Sequence, residues 1–125
     1  MPPGIDLLGE VKWNLEWMLS MQDEDGGVWH KQTSLAFPPF IMPHEDESIS
    51  YVIGKSSCAT ANLAAVAAMA SRIYDGEFAR TNKAAAHRAW EWLKQHPNVT
   101  FRNPPDVTTG EYGDRDCSDE RLWAA

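Results

Sequence analysis

The chain has 125 residues, 43% of them apolar and 23% charged, with a formal charge of −7 and a pI near 4.9. That size suits one domain with a true core, and the acidity argues against nucleic acid as a partner, because phosphate binding needs a basic face. No run of eighteen apolar residues occurs, so no membrane span is expected, and Met1-Pro2-Pro3-Gly4 has neither the basic start nor the apolar stretch of a secretion signal.

Four helical segments are predicted. The first runs from about Asp6 to Gln22, with Asp6 as N-cap and Leu7, Leu8, Val11, Leu15, Met18 and Leu19 on one face. Gly26-Gly27 closes the turn that follows. A long segment from Asp23 to Ser56 comes next, with Pro38, Pro39, Pro43 and four aromatics; within it Val28 to Thr33 and Ser50 to Ile53 read as short strands. Loops of this length in compact domains usually carry function. The second helix is predicted from Ser57 to Tyr74. Leu63, Val66, Ala70 and Ile73 form its stripe, and alanines cover the remaining sides, so it should be packed all round. The third runs from Phe78 to His96, with Asn82, Ala86, Ala89, Trp90 and Leu93 inward, until Pro97 blocks it. The fourth begins after Ser118, with no stop signal after the apolar pair Leu122 and Trp123. Long and short connections alternate, as in helical hairpins that gather a site at one end of a barrel. The apolar pair wants a partner, so the chain reads as a piece of a larger helical domain.

Two constellations bear on chemistry. Asp114, Asp116, Asp119 and Glu120 place four carboxylates within seven residues. Hard oxygen donors at this density suit calcium, although the spacing is not that of an EF-hand. Judged from spacing alone, the simpler reading is that Ser118 caps a helix whose positive end Asp119 and Glu120 complement. Near Gly26-Gly27, Trp29, His30 and Lys31 follow a tight turn. The indole is suited to stack on a sugar ring while His30 bonds a hydroxyl; a loop His paired to a carboxylate is the plainer reading. No ligand-spaced zinc set occurs. The six Trp either line a surface for flat ligands or pack helix on helix. His44 to Glu47 is a charge run expected on the surface, and Asn98-Val99-Thr100 fits a glycosylation sequon. Cys58 and Cys117 are a disulfide or two buried thiols, and thiols are the preferred reading.

Several blocks in order resemble glycoside hydrolase family 9, the cellulases that cut β-1,4-glucans. They are Asp6-Leu7-Leu8-Gly9-Glu10, Trp13 to Met18, Met21-Gln22-Asp23, Gly26-Gly27-Val28-Trp29-His30-Lys31, the Ala-rich helix after Thr60, Tyr112-Gly113-Asp114 and Ser118 to Ala125. The resemblance implies an all-α fold, a partial (α/α)6 barrel (toroid) of about four helices with long loops at one end. Residues 1–125 would then be an internal fragment of a single catalytic domain, about its middle third or less.

It also implies cleavage of cellulose or cellodextrins with inversion, and a β-glucan or cello-oligosaccharide partner. A secreted or periplasmic parent is implied as well. The family's catalytic base lies in an Asp-Ala-Gly-Asp motif and its acid is a Glu near the domain's end; neither motif occurs here, so the piece alone is expected to be inactive. By resemblance His30 contacts sugar in the cleft, with Trp29 and Lys31 contributing beside it. Tyr112 approaches the substrate and the catalytic Asp. Asp119 and Glu120 hold a structural calcium to which Arg115 or Asp116 adds a backbone oxygen and a residue past Ala125 adds another, so that the site in this piece is incomplete. The alternative is a self-contained, non-catalytic helical module that binds carbohydrate or serves as a scaffold.

Overall fold

The computed structural model describes residues 6–125; the reading of Met1 to Gly4 lies outside the described residues. The elements in chain order are α1 (Leu7–Ser20), β1 (Trp29–Thr33), a 3-10 turn (Pro43–Glu45), β2 (Tyr51–Lys55), α2 (Ser57–Ile73), α3 (Gly76–Gln95) and α4 (Ser118–Ala124). No described helix is long and apolar enough to cross a membrane.

α2 is the centre. Its alanines admit a close approach of neighbours, and it packs along α3 and against α4, β1 and α1. Ala61 and Ala64 meet Ala89, Trp92 and Leu93 of α3. On another side Leu63 and Ala67 meet Met21 and Val28, at the end of α1 and the entry to β1. Burial on several sides is what its composition predicts. Ser56 caps this helix, its hydroxyl accepting the Ala59 N–H at 3.1 Å. α1 is capped as expected, Asp6 accepting from Leu8 and Gly9 N–H groups at 3.2 Å each. It contributes less to the core, however. Leu15 alone of its helical residues is buried, while Leu7, Leu8 and Val11 stay exposed. In α3 Asn82, Ala89 and Leu93 face inward as predicted, but Trp92 rather than Trp90 is the buried indole. Trp92 turns inward because the Gly27 backbone leaves room for it: a Cβ there would lie 2.7 Å from the ring.

The described residues are mainly helical, as expected, and one small sheet is added, in which β1 and β2 pair antiparallel with Trp29 opposite Lys55 and Lys31 opposite Ile53; two other expectations need correction. Trp, Thr, Tyr, Val and Ile in this loop favour extended backbone, and pairing satisfies amides that a long loop leaves open. The strands lie where the sequence places them, within a residue or two. The cysteines are not thiols, since Cys58 and Cys117 form a disulfide. The first turn of α2 and the residue before α4 bring their Cα atoms to 4.8 Å, a bridging distance; a separation of 59 residues gives the sequence no means of showing this. Finally, Ser118 does not cap α4. It is the first helical residue, and Asp116 accepts both its N–H and its hydroxyl at 3.1 Å.

Candidate functional site

The turn before β1 is fixed by charge. Lys55 bridges to Asp23 and Asp25, and Asp25 also accepts from the Gly27 N–H and the Trp92 indole. Desolvation is the largest influence on Asp25 and pushes its pKa up. The bonds from Lys55, Gly27 and Trp92 together outweigh it, so the carboxyl sits below its usual value. Asp23 is lowered mainly by its bond to Lys55. Gln22 reaches the Ala85 carbonyl and receives Arg88, tying the same turn to α3.

From this anchor β1 presents His30 and Lys31 to a second segment, residues 98–117, that crosses the strand pair. His30 is half-buried. Its ring stacks on Phe101 with centroids 4.3 Å apart and planes 16° from parallel. Its Nδ1 lies 2.9 Å from the Ser56 hydroxyl and its Nε2 lies 3.3 Å from the Glu111 carbonyl. The plainer reading, a histidine paired with a carboxylate, is therefore not what the structure shows. The Phe101 ring edge abuts Gly54, where φ is +62° and a Cβ would come within 2.3 Å of the ring. Only glycine meets both demands, a left-handed backbone and a bare face.

Lys31 is buried at 9% exposure, and its ammonium donates to Thr109 Oγ1 at 3.1 Å and the Gly110 carbonyl at 2.6 Å. Thr33 meets the same Thr109 hydroxyl at 2.7 Å. Lys31 thus holds the crossing segment rather than reaching outward. Glu111 ties that segment to itself, accepting from Asn103 N–H at 2.9 Å and from Arg102 at 3.1 Å. The Asn103 bond is the main reason its carboxyl lies below the ordinary value, with Arg102 and then Lys31 adding to it. Tyr112 emerges next, 79% exposed, at φ +53°. A non-glycine residue there is strained by about 1–3 kcal/mol and persists only where its surroundings impose the turn; here Lys31 bonds the Gly110 carbonyl and His30 the Glu111 carbonyl just before it. Trp29 is half-buried against the Met21–Val28–Leu63 cluster, with Lys55 5.1 Å above its ring. Trp17, Trp29 and His30 line a shared cavity of about 110 Å³.

The acidic group lies at the far end of the same segment. Asn98 fastens it, accepting from Cys117 N–H at 3.0 Å. Asp116 spends its carboxylate on Ser118. Glu120 is different, because its Oε2 is buried and has no hydrogen-bond partner among the described residues. Desolvation, followed by the neighbouring Asp119 and Asp114, raises its pKa above the usual value. Its carboxylate lies near Cys58 and Cys117, but those sulfurs bond each other and offer no thiolates.

The structure thus brings Trp29, His30, Lys31 and the stretch before Tyr112 into one wall, with Asp116, Asp119 and Glu120 farther along the chain. Sequence reasoning missed Ser56, Phe101, Thr109 and Glu111. Ser56 carried a signal, as a serine ahead of an Ala-rich helix. Phe101 and Thr109 carried none, since their roles depend on a partner some 70 residues away.

The model of the family described as Glycosyl hydrolase family 9 matches residues 4–125. A xyloglucan-specific endo-β-1,4-glucanase of Bacteroides ovatus is 41% identical over 96% of this chain, and a cellodextrinase of Butyrivibrio fibrisolvens is 38% identical over 96%. The chain spans 23% of the length of each. Among solved structures, a family 9 glycoside hydrolase of Bacteroides ovatus superposes with a TM-score of 0.89 at 37% identity, covering 99% of this chain and 26% of that one. A thermostable endoglucanase of Alicyclobacillus acidocaldarius gives 0.87 at 38% identity, covering 99% and 25%. With a match across nearly its whole length, the chain belongs to glycosyl hydrolase family 9.

Proposed function

We propose that residues 1–125 are an internal segment of one catalytic domain that hydrolyses β-1,4-glucosidic bonds in cellulose or cello-oligosaccharides with inversion. The observation that carries this reading is the wall formed by β1 and residues 109–112, set within a chain that matches the family from residue 4 to 125. Inversion requires one carboxylic acid at the leaving oxygen and one carboxylate on water, held ~6.5–9.5 Å apart. In this reading both come from chain outside these residues. What this segment supplies is binding: a flat histidine fixed at the edge of the wall and an exposed Tyr112 beside it. The exposed apolar residues of α1 and α4, among them Trp13, Leu122 and Trp123, support a covering by further helices of a barrel.

Trp29, Lys31 and Tyr112 join His30 as the proposed sugar-side residues, Trp29 and Lys31 acting mainly by fixing the wall. Asp119 and Glu120, with a backbone oxygen near Asp116, are the proposed calcium ligands. The orphaned Glu120 oxygen and the all-oxygen donor set fit a hard cation. Calcium there neutralises clustered carboxylates and ties the start of α4 to the rest of the domain; it takes no part in the reaction.

The test is the release of reducing ends from carboxymethylcellulose and cellodextrins by the full-length protein. Release is expected; none from any β-1,4-glucan removes the proposal. The rival reading, a self-contained binding module, predicts saturable cellohexaose binding with no hydrolysis.

A further inference from the structure

The Ser56 hydroxyl is 1% exposed and stands at the junction of α2 and the proposed sugar wall. It already accepts the Ala59 N–H at 3.1 Å as the helix cap. Its single proton needs an acceptor, and the group within reach is His30 Nδ1 at 2.9 Å. Were Nδ1 to carry the ring proton instead, both partners would donate toward the hydroxyl and its own buried O–H would be stranded, an arrangement that buried groups avoid. The opposite ring nitrogen points the same way. Nε2 faces the Glu111 carbonyl at 3.3 Å, which can only accept.

We propose that Ser56 is a positioning residue that holds His30 in its Nε2–H tautomer. Ser56 donates to Nδ1, and the nitrogen turned toward Glu111 and Tyr112 is a donor. Phe101 beneath the ring keeps the imidazole from rotating out of this alignment. One hydroxyl therefore caps α2 and sets the polarity of a cleft residue. The Nε2–H bond to Glu111 also steadies the backbone just before the left-handed Tyr112. Resting on the reading of His30 as a sugar contact, the consequence is that the Nε2–H, whose bond to the Glu111 carbonyl is long at 3.3 Å, is shared with or passed to an acceptor oxygen on the ligand, the proton of that hydroxyl pointing elsewhere.

The experiment is nitrogen-15 NMR of histidine-labelled protein, in which protonated and bare ring nitrogens are resolved separately. Wild-type His30 is expected to show a bare Nδ1 and a protonated Nε2. Ser56→Ala, which removes cap and donor, is expected to lose the single tautomer, and Ser56→Thr, which retains both, to restore it. A protonated Nδ1 in the neutral wild-type ring overturns the proposal even if Ser56→Ala fails to fold. So does an unchanged Nε2–H tautomer in a folded Ser56→Ala. Cellohexaose is then added to the wild type. If the tautomer is as stated and His30 does not respond to the sugar, the positioning role stands and the sugar-contact reading fails instead.

Discussion

At the scale of single residues, the wall depends on bare backbone as much as on side chains. Phe101 has its stacking partner His30 on one face and Gly54 at its edge, so the histidine's placement is only as good as the glycine's emptiness. Gly54→Ala adds a methyl 2.3 Å from the ring at a backbone angle that L residues resist. Overpacking and left-handed strain together predict a loss of about 3 kcal/mol, read as a lower urea midpoint. A midpoint unchanged within error would show that Phe101 is not seated as described. His30 was legible in the sequence through its neighbours Gly26, Gly27 and Trp29, which announce a tight turn beside an aromatic. Gly54 and Phe101 were not, because a glycine inside a strand has many explanations until the ring above it is seen.

At the scale of elements, two clamps hold the site. The first is the Asp23–Asp25–Lys55 cluster at the entry to β1. Both carboxyls have folded pKa values below their ordinary 3.8. A depressed carboxyl contributes stability above its unfolded pKa and loses it as pH falls through the folded one. Stability from this clamp is therefore complete near neutrality and fades below about pH 4. Asp25→Asn should flatten the acid limb of a melting-temperature profile. An acid limb identical to that of the wild type would place the acid sensitivity elsewhere. These groups are part-exposed, and solvent screening keeps the effect small.

The second clamp is the disulfide, which closes a loop spanning 59 residues, including α3 and the whole crossing segment. Chain-entropy arguments give such a closure about 4 kcal/mol. Reduction, or Cys58→Ser with Cys117→Ser, is expected to lower Tm by well over 10 °C in a small domain, because 1 kcal/mol is worth about 4–8 °C. Equal melting with and without reductant would refute this. The helices were legible from their 3.6-residue stripes, caps and the Pro97 stop. The disulfide was not, because cysteines so far apart reveal their pairing only when α2 and α4 are packed.

At the scale of the whole molecule, the chain has a fixed wall and apolar, exposed flanks. α2 is enclosed, whereas α1 and α4 expose Leu8, Val11, Trp13, Leu122 and Trp123. The family blocks made the class legible in the sequence, but the exposure of α1 and α4 was not, since an apolar stripe does not say which neighbour covers it. The acidic start of α4 is where a cation belongs in this account. Calcium is expected to raise the Tm of the wild type. Glu120→Gln, which removes the crowded charge, is expected to abolish that rise without lowering Tm in chelator. A calcium response retained in Glu120→Gln would move the site.

The central claim is that β1 and residues 109–112 form a wall that touches sugar, and kcat/KM on cellohexaose for His30→Ala in the full-length protein, with a thermal melt on the same sample, tests it most directly. Loss of a positioned, desolvated hydrogen bond predicts a fall of about 10- to 100-fold with a cooperative melt retained. A kcat/KM equal to that of the wild type in a folded variant would contradict the account.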